Sequence, residues 1–217
     1  MKKLQYTHGC LYLMFIAVFF SSQACADQEL SAPQLVIEAT STQLKERIGL
    51  QTYQGNLTET MRIVEEVLRP HVDQHRISAL ALGKFWKTAT PQQRADFEKE
   101  FKSTMVRLYS TAYASYKDWS IDYLPLRLKA DDKKTIVKIK VNRSGGQPVA
   151  ISYRMVNRAG QWKVYDIIIE GISLVTNYRN QFKGIIVDGG GSVQALIDHL
   201  AKKNRAALKR INAPAPS

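Results

Sequence analysis

A handful of side chains in this chain of 217 residues have the type and spacing to do chemistry. His71 and His75 stand four apart, the interval at which one face of a helix presents two imidazoles to a metal ion. Pro70 adjoins them, and neither an HExxH glutamate nor a third ligand of suitable spacing accompanies them, so exposed or helix-terminal histidines are the simpler reading. His199, between Asp198 and Lys202, reads as solvated. Ser173 sits in the run Gly171, Ile172, Ser173, Leu174, Val175, which lacks the second glycine of a nucleophile elbow and suits a helix cap better. The triplet Gly189 to Gly191 follows a helical stretch and has no lysine at the phosphate-loop spacing, so it reads as a hinge. Asp166 is the carboxylate that stands out, because it lies in the most apolar strand-like run beside Tyr165. Buried there, it could serve as a general base of raised pKa, as in isomerases built on a helix-plus-curved-sheet domain. Alternatively it turns away from Tyr165 and Ile167 and bonds to a loop or a basic side chain. No catalytic or metal-ligating set emerges from these residues.

The cysteines leave even less room for chemistry. Lys2 and Lys3, the apolar run Cys10 to Phe20, and the small residues Ala24 and Ala26 before Asp27 have the layout of a cleaved secretory signal peptide over residues 1–26. The apolar run falls short of the roughly 20 residues that cross a hydrocarbon core. Both cysteines, Cys10 and Cys25, lie inside that leader, and Cys25 lacks the leucine expected three positions before a lipidated cysteine. The exported chain would therefore hold no disulfide, catalytic thiol or zinc-thiolate site. Removing Lys2 and Lys3 lowers the net charge from +12 to +10, so the basic excess belongs to the mature protein. Its basic residues are scattered, match no nucleic-acid readout motif and sit on an exported chain, which argues against nucleic acid. Solubility, or docking to acidic partners and anionic head groups, suits them better.

Periodicity supplies the elements that must position these residues. The first half reads as helical: Leu35, Val36, Ala39, Leu44 and Ile48 at loose helical spacing, then Leu57, Met61, Val64, Val67 and Leu68 as a cleaner stripe ended by Pro70. A short helix from Asp73 stops at Gly83. Thr90, Pro91 and Gln93 form a capping-box signature ahead of Phe97, Phe101, Met105, Leu108, Ala112 and Tyr116, which predicts a helix to near Lys117 of about 40 Å. The second half changes to a period of two. Ile121 to Leu128, Thr135 to Asn142, Val149 to Val156 and Trp162 to Glu170 read as strands, with Gly145 and Gly146, and Ala159 and Gly160, as hairpin turns. Val137, Ile139 and Val141 alternate with Lys138 and Lys140, so one sheet face is buried and the other is wet and cationic. The consecutive Ile167, Ile168 and Ile169 put bulk on both faces and suggest a strand that is central or partly covered on both sides. Helices follow from Leu174 to Ile186 and from Ser192 onward. The expectation is a single α+β domain over 27–212, with N- and C-terminal helices on one face of a curved antiparallel sheet of four to five strands and a disordered tail at 213–217.

Three stretches are more specific than these patterns: FWKTATPQQRADFEKEF from Phe85 to Phe101, GGQPVAISYRMV from Gly145 to Val156, and GQWKVYDIIIEGISLVTNYRNQF from Gly160 to Phe182. They resemble the MlaC family, the periplasmic phospholipid-binding component of the Mla lipid-asymmetry transport system, also called toluene-tolerance proteins. That resemblance implies a soluble periplasmic carrier with an apolar cavity that takes a phospholipid by its acyl chains. The carrier would move its cargo between an outer-membrane lipoprotein complex and an inner-membrane ABC transporter complex. It also implies a monomer that is not an enzyme, with no cofactor and phospholipid as cargo. The lining expected for such a cavity is the strand face Val137, Ile139, Val141, Ile151, Tyr153, Met155, Tyr165, Ile167 and Ile169. Met105, Leu108, Tyr109, Tyr113, Leu174, Val175 and Tyr178 would roof it.

Overall fold

The computed structural model describes residues 29–50, 57–114, 119–143 and 145–211. The expected signal peptide at 1–26 with both cysteines, the break at Gly55 and Asn56, the helix end near Lys117 and the tail at 213–217 lie outside the described residues.

The chain opens with helix α1 (Ala32–Leu50), whose buried stripe is not the one its apolar residues suggest. Gln34, Ile37, Thr40, Leu44 and Ile48 face inward, while Leu35 is 48% exposed. Gln34 is accommodated because its Oε1 accepts from Ser31 and its Nε2 donates to the Leu124 carbonyl at 3.0 Å. Helix α2 (Leu57–Leu68) buries Thr60, Ile63, Val64 and Val67 at helical spacing, and a 3-10 turn (Arg69–His71) follows where Pro70 cannot continue it. Asp73 accepts from the Arg76 N–H and starts α3 (Gln74–Leu82), which ends at Gly83 with φ of 59°. The short α4 (Phe85–Thr88) leads to α5 (Pro91–Ala114). There the Gln93 N–H donates to Thr90 Oγ1 and the Thr90 N–H to Gln93 Oε1, both at 3.1 Å, which is the expected capping box.

Among the described residues five strands follow in spatial order of sequence, all antiparallel: β1 (Trp119–Tyr123), β2 (Lys134–Arg143), β3 (Val149–Arg158), β4 (Gln161–Ile169) and β5 (Ile172–Ser173). The sheet is curved and unclosed. Strand β1 is shorter than the run Ile121 to Leu128 implied. Two cross-strand rows define the inner face, Val137–Tyr153–Ile167 and Ile139–Ile151–Ile169, while Lys138 and Lys140 are exposed on the outer face. The β3–β4 turn places both Ala159 and Gly160 at positive φ, the geometry that matches strand twist in a two-residue hairpin. β4 does not lie at the centre of the sheet. Its far edge carries the two-residue β5 and an isolated parallel bridge from Val72 to Val164, where the Asp73 N–H donates to the Val164 carbonyl at 2.9 Å, and Ile169 and Ile172 remain 36% and 62% exposed. Helix α6 (Leu174–Asp188) starts at Ser173, whose Oγ accepts from the Thr176 N–H as expected, and α7 (Val193–Ile211) follows the glycine triplet.

Three hydrophobic cores result among the described residues. One, within α3 to α7, is built around Phe97, Phe101, Phe182, Ile186 and Leu196. A second joins Ile37 of α1 to the inner sheet face at Val137, Ile139, Met155, Trp162 and Val164. The third holds α1 against α2 through Leu44, Ile48, Ile63, Val64 and Val67.

Candidate functional site

The three cores do not merge, and a cavity of about 290 Å³ lies where they would meet. Its floor is Tyr153, Val164, Ile167 and Ile169 of the sheet. Its roof and sides are Met105, Val106, Leu108 and Tyr109 of α5, Ile37, Thr40 and Ser41 of α1, Leu68 of α2, Val72, Gln74 and Ile77 around α3, and Leu174 at the start of α6. The wall is overwhelmingly apolar, and its charged members are Glu65, Arg69 and Lys102. Lys102 Nζ lies 2.7 Å from Glu65 Oε1, linking α5 to α2.

Burial governs the titratable groups here. The Tyr109 phenol is pushed up to about 12 because an anion is poorly solvated at that depth. His71 is held below its ordinary value, first by burial and then by the charge of Lys163. Its neighbour His75 points elsewhere, with Nδ1 2.8 Å from Glu98 Oε1. Among the described residues no group of three His, Cys, Asp or Glu side chains could hold a metal ion, and no helix is long and apolar enough to cross a membrane.

Of the lining expected from sequence, the cavity gathers Met105, Leu108, Tyr109, Tyr153, Ile167, Ile169 and Leu174. Val137, Ile139 and Met155 are instead closed inside the sheet-side core, with Val141 and Ile151 packed against them. Tyr178 belongs to the helical core, its ring 5.2 Å from Phe101 and 5.4 Å from Phe182. Val175 is buried, and its N–H donates to Asp166. The side chain of Tyr113 lies outside the described residues. Tyr165 misses the cavity because the β3–β4 register shifts between Arg154 and Met155, pairing Arg154 with Asp166 but Met155 with Val164. The extra residue breaks the alternation, so Val164 joins Ile167 on the floor and the Tyr165 ring lies under the Arg76 guanidinium at 4.2 Å.

Asp166 is buried and outside the cavity wall. Its carboxylate accepts from Ser173 Oγ at 2.7 Å, from the Val175 N–H at 3.2 Å and from Arg154 Nη1 at 3.2 Å. It thus ties β4 to the first turn of α6, where the unpaired N–H groups and the helix dipole favour an anion. The α1, α2 and α3 members of the wall carried no recognisable signal, since Thr40, Gln74 and Ile77 look like ordinary helix residues in isolation. For Val164 a signal existed, its alternation with Trp162, but the bulge that carries Ile167 to the same face is a matter of register.

Fold and cavity together define an α+β protein whose open sheet and helical roof enclose an apolar pocket. Residues 38–202 match the family model described as MlaC protein, and the chain belongs to that family. The toluene tolerance protein ttg2D of Pseudomonas putida is 30% identical over 183 residues, covering 81% of this chain and 84% of its own. The intermembrane phospholipid transport system binding protein MlaC of Haemophilus influenzae is 25% identical over 127 residues, covering 57% of this chain and 59% of its own. Among solved structures, the phospholipid-binding protein from Ralstonia solanacearum in complex with a phospholipid superposes with a TM-score of 0.74 at 34% identity, covering 81% of this chain and 98% of that one.

Proposed function

We propose that this chain is a periplasmic carrier that holds a phospholipid by its acyl chains in the cavity and shuttles it between the inner-membrane ABC transporter complex and the outer-membrane lipoprotein complex of the Mla system. Residues 1–26 would direct export and 27–212 would form the carrier domain. The observation that carries this reading is the apolar wall of the cavity, built from three separate cores. Membership of the MlaC family and likeness to a phospholipid-bound structure support it. Met105, Leu108, Tyr109, Tyr153, Ile167, Ile169 and Leu174 are the proposed acyl contacts.

The energetics suit a carrier. At about 0.8 kcal/mol per CH₂, two tails of roughly 15 carbons each represent on the order of 20 kcal/mol of transfer from water. A bilayer offers the same, so the carrier only has to match the membrane, and small partner-induced changes decide loading against release. A volume of about 290 Å³ stands at the lower end of the range of about 300–1,000 Å³ typical of ligand pockets. The α1–α2 core meets α5 at Val106 and Tyr109, two members of the cavity wall, while Ile37 of α1 also joins the sheet-side core.

Mass spectrometry of an organic extract from the purified full-length protein tests the reading, with stoichiometric phospholipid expected. Ile167→Asp, which places a charge on the cavity floor, should remove that lipid from a protein that still folds. A folded wild-type protein that neither retains phospholipid nor acquires it from vesicles would overturn the proposal.

A further inference from the structure

Tails in an apolar wall leave the phosphodiester to be placed, because a phosphate cannot follow them into surroundings that offer it no compensating charge or donor. Among the described residues, charge on this wall is confined to the border of α2, the 3-10 turn and α5, where two cations, Arg69 and Lys102, and one carboxylate, Glu65, line the cavity. His71 stands on the same border and is disfavoured as a cation by burial. The net charge of that border is therefore positive, complementary to a singly charged phosphodiester.

The details of the pair are informative. Lys102 shares one face of α5 with Val106 and Tyr109, at i, i+4 and i+7, so its stem runs along the apolar wall while its ammonium reaches the border. An ammonium has three N–H donors, and Glu65 takes one of them at 2.7 Å. Both side chains are about two-fifths exposed, so the pair contributes little to stability and is open to exchange. Arg69 is exposed and makes no ion pair among the described residues.

Resting on the carrier reading, we propose that Lys102 and Arg69 form the subsite for the lipid phosphate, and that Glu65 is the resident counter-charge the phosphate displaces from Lys102. Phosphate and Glu65 carry the same sign and compete for one ammonium, so both cannot hold it at full strength. Arrival of the head group then breaks the ion pair that links α2 to α5 on the border of the cavity. Loading is thereby coupled to release of the α2–α5 ion pair through one exchange of partners, and the discrimination follows: a diacyl lipid bearing a phosphate is favoured over the same diacyl chain without one.

The test compares uptake from vesicles doped with dioleoylphosphatidylglycerol and from vesicles doped with dioleoylglycerol, using the full-length protein. Wild type should load the phospholipid about tenfold more tightly than the diacylglycerol, the scale of one charge-assisted hydrogen bond. Lys102→Gln and Arg69→Gln should lower phospholipid loading alone, Lys102→Arg should restore most of it, and Glu65→Gln should raise it. If Lys102→Gln lowers both lipids equally, or neither, the subsite is overturned while the carrier reading stands. If wild type loads neither lipid, the carrier reading itself fails. Inorganic phosphate alone should leave the melting temperature unchanged. A shift with phosphate that Lys102→Gln abolishes, without discrimination between the two lipids, would assign the cations to a free anion and overturn the proposal.

Discussion

Along α5, Phe97 and Phe101 in the N-terminal half and Met105 and Tyr109 in the C-terminal half turn apolar side chains to the interior, yet only the first pair is fully enclosed. The Phe101 ring meets Phe97 at 5.5 Å, Phe182 at 5.2 Å and Tyr178 at 5.2 Å, mostly edge to face, so no volume is left around it. Four residues on, Met105 faces the cavity, with the sheet floor beyond it. One helix thus passes from a filled core to an open one without a change of period. Hydrophobic periodicity reports which way a residue faces, and the spacing of the layers across from it decides whether it is packed. The filled half fixes the frame, and the open half leaves room for a guest.

Mutation can break this contrast. Phe101→Ala should cost about 3–5 kcal/mol in urea unfolding, because the cavity it leaves has no way to collapse. Met105→Ala should cost clearly less, since its side chain already lacks neighbours on one side. Equal losses for the two would mean that the C-terminal half is packed like the N-terminal half. Asp166→Ala addresses the boundary between the regions. It removes the acceptor shared by Ser173, Val175 and Arg154 and should cost about 2–3 kcal/mol, with Asp166→Asn losing less. If Asp166→Ala folds as stably as wild type, β4 and α6 are held together by packing alone.

The frame was largely legible in the residues, and the open half much less so. Thr90, Pro91 and Gln93 mark the start of α5 because a capping box is made entirely of local hydrogen bonds. Val137 and Ile139 declare their face by strict alternation with lysines. Gln34 defeats the same logic in α1, because the acceptor that admits it to the interior is a carbonyl 90 residues away. Tyr165 lies off the cavity wall because one bulged residue, set by pairing with another strand, reverses the alternation along β4. Ile139 and Ile167 look alike in sequence, and their neighbours alone put the first in a packed core and the second on a cavity floor. A charge at Ile139 would therefore test folding, and the same charge at Ile167 tests the lining.

The smallest expected effect comes from His71, on the open side of the molecule. Its folded pKa is held below the ordinary imidazole value of 6.5, by burial first and by Lys163 second, so the unfolded chain binds the proton before the folded one does. Above pH 6.5 both states are neutral and the group's contribution is fully present. As pH falls below that value, the unfolded state is favoured and stability drops toward the lower folded pKa. Melting temperatures measured from about pH 7.5 down to about pH 5.5 should therefore fall less steeply in His71→Gln than in wild type. The slope that remains belongs in part to His199, whose pKa is lowered by burial, then by Lys203 and Lys202. If the two slopes coincide, His71 is as well solvated in the folded protein as in the unfolded chain, and the polar border of the cavity is wetter than its neighbours imply.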